Sequence, residues 1–101
     1  MQTVRTSEEL ALALESLRGG TLALVPTMGA LHAGHIALIE EAKRRAQKVV
    51  ATIFVNPTQF NDPADLARYP RTEPDDAQKL REAGCDLLWA PSVAEFYPAG
   101  F

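Results

Sequence analysis

Residues 49–55 restrict the fold of this chain more than any other segment, because they are rich in β-branched residues and almost wholly apolar. A strand of this composition is typical of a parallel sheet that is covered on both faces. Two other short apolar runs, residues 21–25 and residues 85–90, are bounded by Gly and Pro and also predict strands. We interpret residues 21–25 as a buried strand. Residues 2–5 are a candidate for a further short strand.

Helical patterns separate these strands. Thr6 and Glu9 have the spacing of a capping box at the start of a first helix. A second helix is predicted from Ile36, where apolar residues recur at helical spacing (Ile36, Ile39, Ala42 and Ala46). A third helix begins near Pro74. The alternation of strands and helices predicts an α/β fold, a Rossmann-like parallel sheet of three to four strands flanked by helices.

The net charge argues against a nucleic-acid partner. The 101 residues include 10 Lys and Arg against 13 Asp and Glu, which gives a net charge of −3, whereas nucleic-acid binding depends on a basic surface. The length fits one domain. No apolar stretch approaches the roughly 20 residues of a membrane-spanning helix, and the N-terminus has no apolar region typical of a secretory signal. We therefore predict a cytoplasmic chain that binds neither membrane nor nucleic acid.

Both histidines of the chain, His32 and His35, lie in one turn that follows a predicted strand and opens the next helix. A helix N-terminus offers free N–H groups and a partial positive charge, so phosphate groups bind there. Gly29 and Gly34 allow the backbone to approach a ligand closely. Two imidazoles three residues apart can face the same side and stabilise charge during phosphoryl or nucleotidyl transfer. The H-x-G-H pattern therefore predicts a nucleotide-phosphate site at the carboxyl end of a strand.

The histidine pair also permits other interpretations. Histidines near a helix start are often helix caps or surface residues, and that interpretation stays open. A zinc site lacks a third ligand, because Cys85 precedes a different strand and Asp62 lies in a distant loop. The absence of Gly-Lys-Ser/Thr after the strand excludes a P-loop, and the glycine spacing differs from that of a dinucleotide-binding motif. We predict no metal bound by protein ligands.

Four ordered blocks of sequence resemble the pantothenate synthetase (pantoate–β-alanine ligase) family, a member of the H-x-G-H nucleotidyltransferase group. Residues 25–35 read VPTMGALHAGH and resemble the opening motif of the family. Residues 53–60 read IFVNPTQF, residues 65–72 read DLARYPRT, and residues 90–98 begin with APS and end with YP. The resemblance covers nearly the whole chain, and four blocks in order are far more specific than H-x-G-H alone.

The resemblance implies an enzyme that joins pantoate to β-alanine at the expense of ATP. The pantoate carboxylate attacks the α-phosphate to give pantoyl adenylate and pyrophosphate, and the β-alanine amine then displaces AMP. ATP with Mg²⁺ and a homodimer are implied as well. Residues 1–101 would form the N-terminal Rossmann-like, nucleotide- and pantoate-binding domain of a much longer enzyme. We therefore expect this chain to be inactive without the C-terminal part of such an enzyme.

The resemblance also assigns roles to individual residues. His32 and His35 form the catalytic pair, with His35 as the proton donor, and Gln59 binds pantoate and β-alanine. The implied ATP-binding positions are Met28, Gly29, Ala30, Leu31, His32, Ala33, Gly34 and His35. The implied pantoate-binding positions beside Gln59 are Pro26, Thr27 and Met28.

Two alternative functions remain compatible with the sequence. A nucleotidyltransferase that moves AMP or CMP onto a phosphorylated small molecule needs basic residues after the strand at residues 49–55, where Asn56, Thr58 and Gln59 stand instead. A non-catalytic module that associates with itself is the second alternative, because a small parallel sheet leaves edges that proteins normally cover.

The roles of two further groups are open. Asp75 and Asp76 follow Pro74 in the first turn of a predicted helix, where carboxylates offset the helix dipole, although they could also reach Mg²⁺. Three aromatic residues close to the last residue of the sequence are predicted to be exposed or used in association, namely Phe96, Tyr97 and Phe101.

Overall fold

A four-stranded parallel sheet is the centre of the computed structural model, which describes residues 1–99. The strands are β1 (Gln2–Val4), β2 (Leu22–Thr27), β3 (Lys48–Ile53) and β4 (Leu87–Trp89), and their order across the sheet is β1-β4-β3-β2. The register places Val50 of β3 between Leu24 of β2 and Leu87 of β4. The prediction of a parallel α/β sheet of three to four strands is confirmed.

Helices connect the strands. They are α1 (Ser7–Glu15), α2 (Ala33–Arg45), a 3₁₀ turn (Pro57–Gln59), α3 (Pro63–Arg68), α4 (Glu73–Glu82) and α5 (Val93–Phe96). The capping box of α1 is confirmed, because the Glu9 N–H donates to the Thr6 hydroxyl at 3.0 Å and the Thr6 N–H donates to the Glu9 carboxylate at 3.0 Å. Within residues 1–99, no helix combines the length and apolar character needed to cross a membrane.

β3 is buried on both faces, as its composition predicted. One face belongs to a core under α2 and α4, whose buried members are Leu31, Ile39, Val49, Ala51, Leu80, Cys85 and Leu88. The other face belongs to a core under α1, whose buried members are Val4, Ala13, Val50 and Leu87. Because successive residues of β3 point into different cores, this strand joins both helical layers to one sheet.

β2 is not the buried strand that we predicted from residues 21–25. It forms one edge of the sheet, and the side chains of Leu22 and Leu24 are 46% and 63% exposed. Helix α1 packs on the neighbouring strands through the core that contains Val50, and it leaves these two leucines open. An apolar run of this length occurs both in strands that helices of the same chain cover and in edge strands that they leave open. The composition of residues 21–25 alone could not distinguish the two cases.

Helix α2 begins at Ala33, three residues before the apolar pattern that starts at Ile36. His32 caps the helix from the preceding position, so the two histidines open it as predicted. Phe96 is partly exposed, as expected, but its ring stacks on Phe54 with 4.2 Å between ring centroids. Phe101, which was also predicted to be exposed or used in association, lies outside the described residues.

Replacing Leu88 by Ala is expected to destabilise the chain far more than replacing Leu24 by Ala. The Leu88 side chain is fully buried, so its truncation leaves a cavity that costs about 2–5 kcal/mol. The Leu24 side chain is mostly exposed, and its truncation should cost less than about 1 kcal/mol. Urea unfolding of both variants measures the difference. Equal losses of stability would contradict the assignment of β2 to an open edge.

Candidate functional site

The loop between β2 and α2 has a backbone that requires glycine at its second position. Gly29 has φ +81° and the next residue, Ala30, has φ +51°, so two successive residues are left-handed. A Cβ atom on residue 29 would lie 3.1 Å from Oδ2 of Asp76 and 3.1 Å from Cγ2 of Ile53. Residue 29 must therefore be glycine for two reasons, its backbone conformation and the space around it.

The carboxyl ends of β2 and β3 lie side by side where this loop begins. The hydroxyl of Thr27 donates to the carbonyl of Thr52 at 2.8 Å and accepts the N–H of Gly29 at 3.1 Å. The Thr27 side chain thus bonds the end of β2 to β3 and also fixes the first turn of the loop. Open α/β sheets hold their ligands at this edge, so the loop lies where a ligand site is expected.

The two histidines cap α2 and contact each other. Nδ1 of His32 accepts the N–H of Gly34 at 3.0 Å, and Nδ1 of His35 accepts the N–H of His32 at 3.1 Å. The ring centroids are 4.1 Å apart, so the predicted juxtaposition of the rings is present and both are helix caps as well. Because each Nδ1 is an acceptor, the neutral rings carry their protons on Nε2. The pair therefore retains two N–H donors for a ligand.

The surroundings of His35 favour its neutral form. Burial lowers the pKa of His35, and the neighbouring His32 lowers it further, whereas the charge of Asp76 acts in the opposite direction. The neutral ring is also the form that can accept the N–H of His32. The helix cap and the protonation state of His35 therefore support each other.

Asp76 holds the loop from the first turn of α4, a role that the sequence did not reveal. Its side chain is 1% exposed, and it accepts the N–H groups of Ala30 and Leu31, both at 2.9 Å, and the hydroxyl of Thr72 at 3.1 Å. Asp75 beside it remains exposed. Both carboxylates lie in the first turn of the helix, as expected for offsetting its dipole. The contact with the loop spans 45 and 46 residues, so no local pattern could have indicated it.

A cavity of about 290 Å³ brings the four predicted pantoate positions together. It is lined by Pro26, Thr27, Met28, Thr52, Phe54, Asn56, Gln59 and Phe96. A second cavity of about 290 Å³ shares Met28 and Phe54 with it and extends to Gly29 and Asp76. Among the described residues that line the two cavities there is no histidine. The imidazole pair is connected to them through the loop that Met28 and Gly29 begin.

Asn56 fixes the 3₁₀ turn on one side of the first cavity. Its Oδ1 accepts the N–H of Thr58 at 3.0 Å, the hydroxyl of Thr58 at 2.7 Å and the hydroxyl of Tyr97 at 3.0 Å. Phe96 contributes to the lining of the same cavity by stacking on Phe54. Sequence reasoning did not assign Phe96 and Tyr97 to the site, because α5 is too short to produce a periodic pattern.

Comparison with known protein families shows the group to which this arrangement belongs. A family model described as pantoate-beta-alanine ligase matches residues 2–101. The chain belongs to the pantoate-beta-alanine ligase family. The family membership that the four sequence blocks indicated is therefore confirmed.

Curated and solved relatives in the pantoate-beta-alanine ligase family agree with this assignment. The chain is 59% identical over 102 residues to a pantothenate synthetase of Thioalkalivibrio sulfidiphilus and 57% identical over 100 residues to one of Nitrobacter winogradskyi, covering 99% and 97% of this chain. It spans 36% and 35% of those two proteins.

The solved structures give the same result for the fold. Pantothenate synthetase from Thermus thermophilus superposes with a TM-score of 0.88 at 48% identity, covering 100% of this chain and 36% of that one. A pantoate-beta-alanine ligase from Francisella tularensis, complexed with beta-gamma ATP and beta-alanine, superposes with a TM-score of 0.93 at 40% identity. The match covers 99% of this chain and 39% of that protein.

Gly29→Ala is expected to destabilise the chain more than Gly19→Ala. Both glycines have positive φ, +81° and +98°, so both substitutions carry a backbone cost of about 1–2 kcal/mol. Residue 29 adds the contacts with Asp76 and Ile53, whereas no atom lies within 4 Å of a Cβ at residue 19. Thermal or urea unfolding measures both. A Gly29→Ala loss no larger than that of Gly19→Ala would show that the space around the loop is not restricted.

His35 is expected to titrate below the value that it has in the unfolded chain. Because its folded-state pKa is lowered, its contribution to stability is present above about pH 6.5 and is lost as the pH falls toward the folded-state pKa. Protonation of Nδ1 also breaks the bond from the His32 N–H. NMR titration should show the His35 ring and the His32 amide changing with one midpoint, lower than that of the ring in urea. A midpoint equal to or above the unfolded value would contradict the assigned environment.

Proposed function

We propose that this chain supplies the nucleotide- and pantoate-binding half of an ATP-dependent pantoate–β-alanine ligase. The observation that carries the proposal is the match to the pantoate-beta-alanine ligase model over residues 2–101, supported by similarity to a ligase complexed with beta-gamma ATP and beta-alanine. In the first step a pantoate carboxylate oxygen bonds to the α-phosphorus of ATP and pyrophosphate leaves. In the second step the β-alanine nitrogen bonds to the acyl carbon, loses a proton, and AMP leaves.

His32 and His35 are proposed to bind and stabilise the phosphates. Their Nδ1 atoms are occupied as acceptors of backbone N–H groups, which leaves Nε2–H as the group that each ring offers to a phosphate oxygen. Such donors stabilise the negative charge that grows on oxygen in the transition state. His35, whose pKa is lowered mainly by burial, is the proposed proton donor in the sense of a hydrogen bond: the neutral ring shares its Nε2–H with a phosphate oxygen and keeps the proton. The proposed ATP site comprises residues 28–35.

Gln59 is proposed to orient pantoate, and β-alanine beside it, from the 3₁₀ turn. An amide can donate to a carboxylate and accept from a hydroxyl, and both groups are present in pantoate. Pro26, Thr27 and Met28 share the cavity with Gln59, and apolar side chains there suit the methyl groups of the acid. The described residues that line this cavity include neither Lys nor Arg. This lining favours a hydroxy acid over the phosphorylated acceptor of a nucleotidyltransferase.

Residues 1–99 do not supply a set of protein ligands for the proposed Mg²⁺. The described residues contain no group of three or more His, Cys, Asp or Glu side chains that could hold a metal. Asp76, one of the two candidates, already accepts three hydrogen bonds from the protein. Mg²⁺ commonly remains bound to phosphate oxygens and water, where it offsets phosphate charge. We therefore propose no residue of this chain as a magnesium ligand.

Catalysis by the 101-residue chain alone is proposed to be negligible, because the chain spans only 35% and 36% of the two curated relatives described above. A homodimer and a cytoplasmic location also belong to the proposal. Sedimentation at high concentration tests the dimer, and a monomer at all concentrations would contradict it. ATP binding by the isolated chain tests the nucleotide half-site, and its absence would favour a purely structural module.

The catalytic proposal can be tested in a chimera that joins this chain to the remaining two-thirds of the Thioalkalivibrio sulfidiphilus protein. His35→Ala is expected to lower the rate of AMP release by about 10²–10³-fold, because a hydrogen-bond donor to the transition state is lost. Gln59→Ala should raise the KM for pantoate by about tenfold or more, because a polar group of the bound acid loses its partner. Coupled measurement of AMP release with pantoate, β-alanine and ATP gives both values.

Gln47→Ala is the matched control for Gln59→Ala, because Gln47 lies in the turn at the amino end of β3, away from the cavity. It should leave KM and kcat unchanged. A chimera that releases pyrophosphate with a phosphorylated acceptor but not with pantoate would overturn the proposed substrate. Equal effects of the two glutamine substitutions would overturn the role of Gln59.

A further inference from the structure

Two residues of α4 hold the backbone of Leu31, one through its N–H and the other through its carbonyl. The carboxylate of Asp76 accepts the Leu31 N–H at 2.9 Å, and the Nζ of Lys79 donates to the Leu31 carbonyl at 3.0 Å. Asp76 and Lys79 are three residues apart and therefore lie on the same face of the helix. The Leu31 side chain is itself buried in the core beside Leu80. Leu31 is thus fixed through its N–H, its carbonyl and its side chain.

The conformation of the preceding residues explains why such a fixation is needed. Ala30 adopts φ +51°, a left-handed conformation that costs about 1–2 kcal/mol for a residue with a Cβ atom. The Asp76 carboxylate also accepts the Ala30 N–H at 2.9 Å, so it binds the strained residue directly. A residue with this strain keeps its conformation when the surrounding structure stabilises it.

The bound peptide lies immediately before the imidazole pair. Leu31 is followed by His32, whose backbone N–H donates to Nδ1 of His35 and whose Nδ1 accepts from Gly34. A rotation of the Leu31 peptide would redirect the backbone of His32 and break this reciprocal cap. The direction of both Nε2–H groups therefore depends on the two contacts from α4.

We propose that Asp76 and Lys79 are positioning residues for the proposed nucleotide site, and that they act by clamping the Leu31 peptide so that both imidazoles present Nε2–H to the phosphates. This inference rests on the proposed function for its ligand, but the clamp itself is a property of the free chain. Asp76 also occupies the N–H groups of Ala30 and Leu31, which a phosphate could otherwise bind. The phosphates are thereby directed to the imidazole donors.

The test uses the whole chain and two readouts, the NMR signals of the imidazole nitrogens without ligand and the Kd for ATP in the presence of magnesium chloride. Asp76→Asn replaces an acceptor oxygen by an N–H₂ donor that faces a backbone N–H. We expect the His32 and His35 rings to lose their fixed Nδ1-acceptor signals, and the Kd for ATP to rise about tenfold or more. Asp75→Asn, with the same charge change on the exposed neighbouring residue, should change neither readout.

Lys79→Met covers the case in which Asp76→Asn does not fold, because Lys79 is exposed and its loss buries no unpaired charge. The variant retains an apolar stem but removes the donor to Leu31. We expect the ring signals to change in the same direction and the Kd for ATP to rise about threefold or more. Lys79→Arg, which keeps a donor, should restore the ring signals. Lys48→Met at the amino end of β3 is the matched control.

The outcomes separate the clamp from the proposed function. If the parent chain binds no ATP but its ring nitrogens respond to Asp76→Asn and Lys79→Met, the clamp stands and nucleotide binding by this chain is refuted. If ATP binds and the ring signals of both variants match those of Asp75→Asn and Lys48→Met, the positioning role is overturned while the proposed function survives.

Discussion

The burial of β3 on both faces is the constraint on which the rest of this structure depends. Val49 and Ala51 enter one core and Val50 enters the other, and the strand lies inside the sheet with a parallel neighbour on each side. That position brings the carboxyl ends of β2, β3 and β4 to one edge. The loops that follow these strands meet there, which is why cavities lined by residues from distant parts of the sequence form at this edge and contain Gln59 and Met28.

The imidazole pair shows how one pair of side chains can stabilise a helix and still hold donors for the proposed phosphate ligand. Ser, Thr, Asp and Asn are the residues preferred at the start of a helix, whereas a histidine caps with one ring nitrogen and carries its N–H donor on the other. His32 and His35 use Nδ1 for the cap and keep Nε2–H for a ligand. The bond from the His32 N–H requires a neutral His35 ring, and the lowered pKa of His35, caused mainly by burial, meets that requirement. The observed helix cap and the proposed phosphate binding are therefore compatible interpretations of this motif.

Much of the fold follows from local chemistry, but the support of the site does not. The composition of residues 49–55 predicted a covered strand, and Thr6 with Glu9 predicted a capping box, because both signals depend on residues close in sequence. The exposure of β2 could not be predicted, since it depends on how far α1 extends across the sheet. Asp76 could not be assigned its contact with the loop, because a carboxylate in a first helical turn has the same local pattern whether it faces water or a distant backbone.

The edge position of β2 explains a feature of the site that composition left unexplained, namely a proline inside a strand. The carbonyls of Thr21 and Thr27 accept the N–H groups of Lys48 and of Phe54, the residue after β3. The alternate residues of β2, including Pro26, therefore direct their backbone groups away from β3. Proline lacks an N–H and is tolerated in a strand where that group faces outward. Pro26 therefore costs β2 no bond to β3, while Thr27 immediately after it makes the last one and turns the chain into the loop. The sheet therefore ends where the proposed site begins, and the adjacent residues Pro26 and Thr27 determine that boundary.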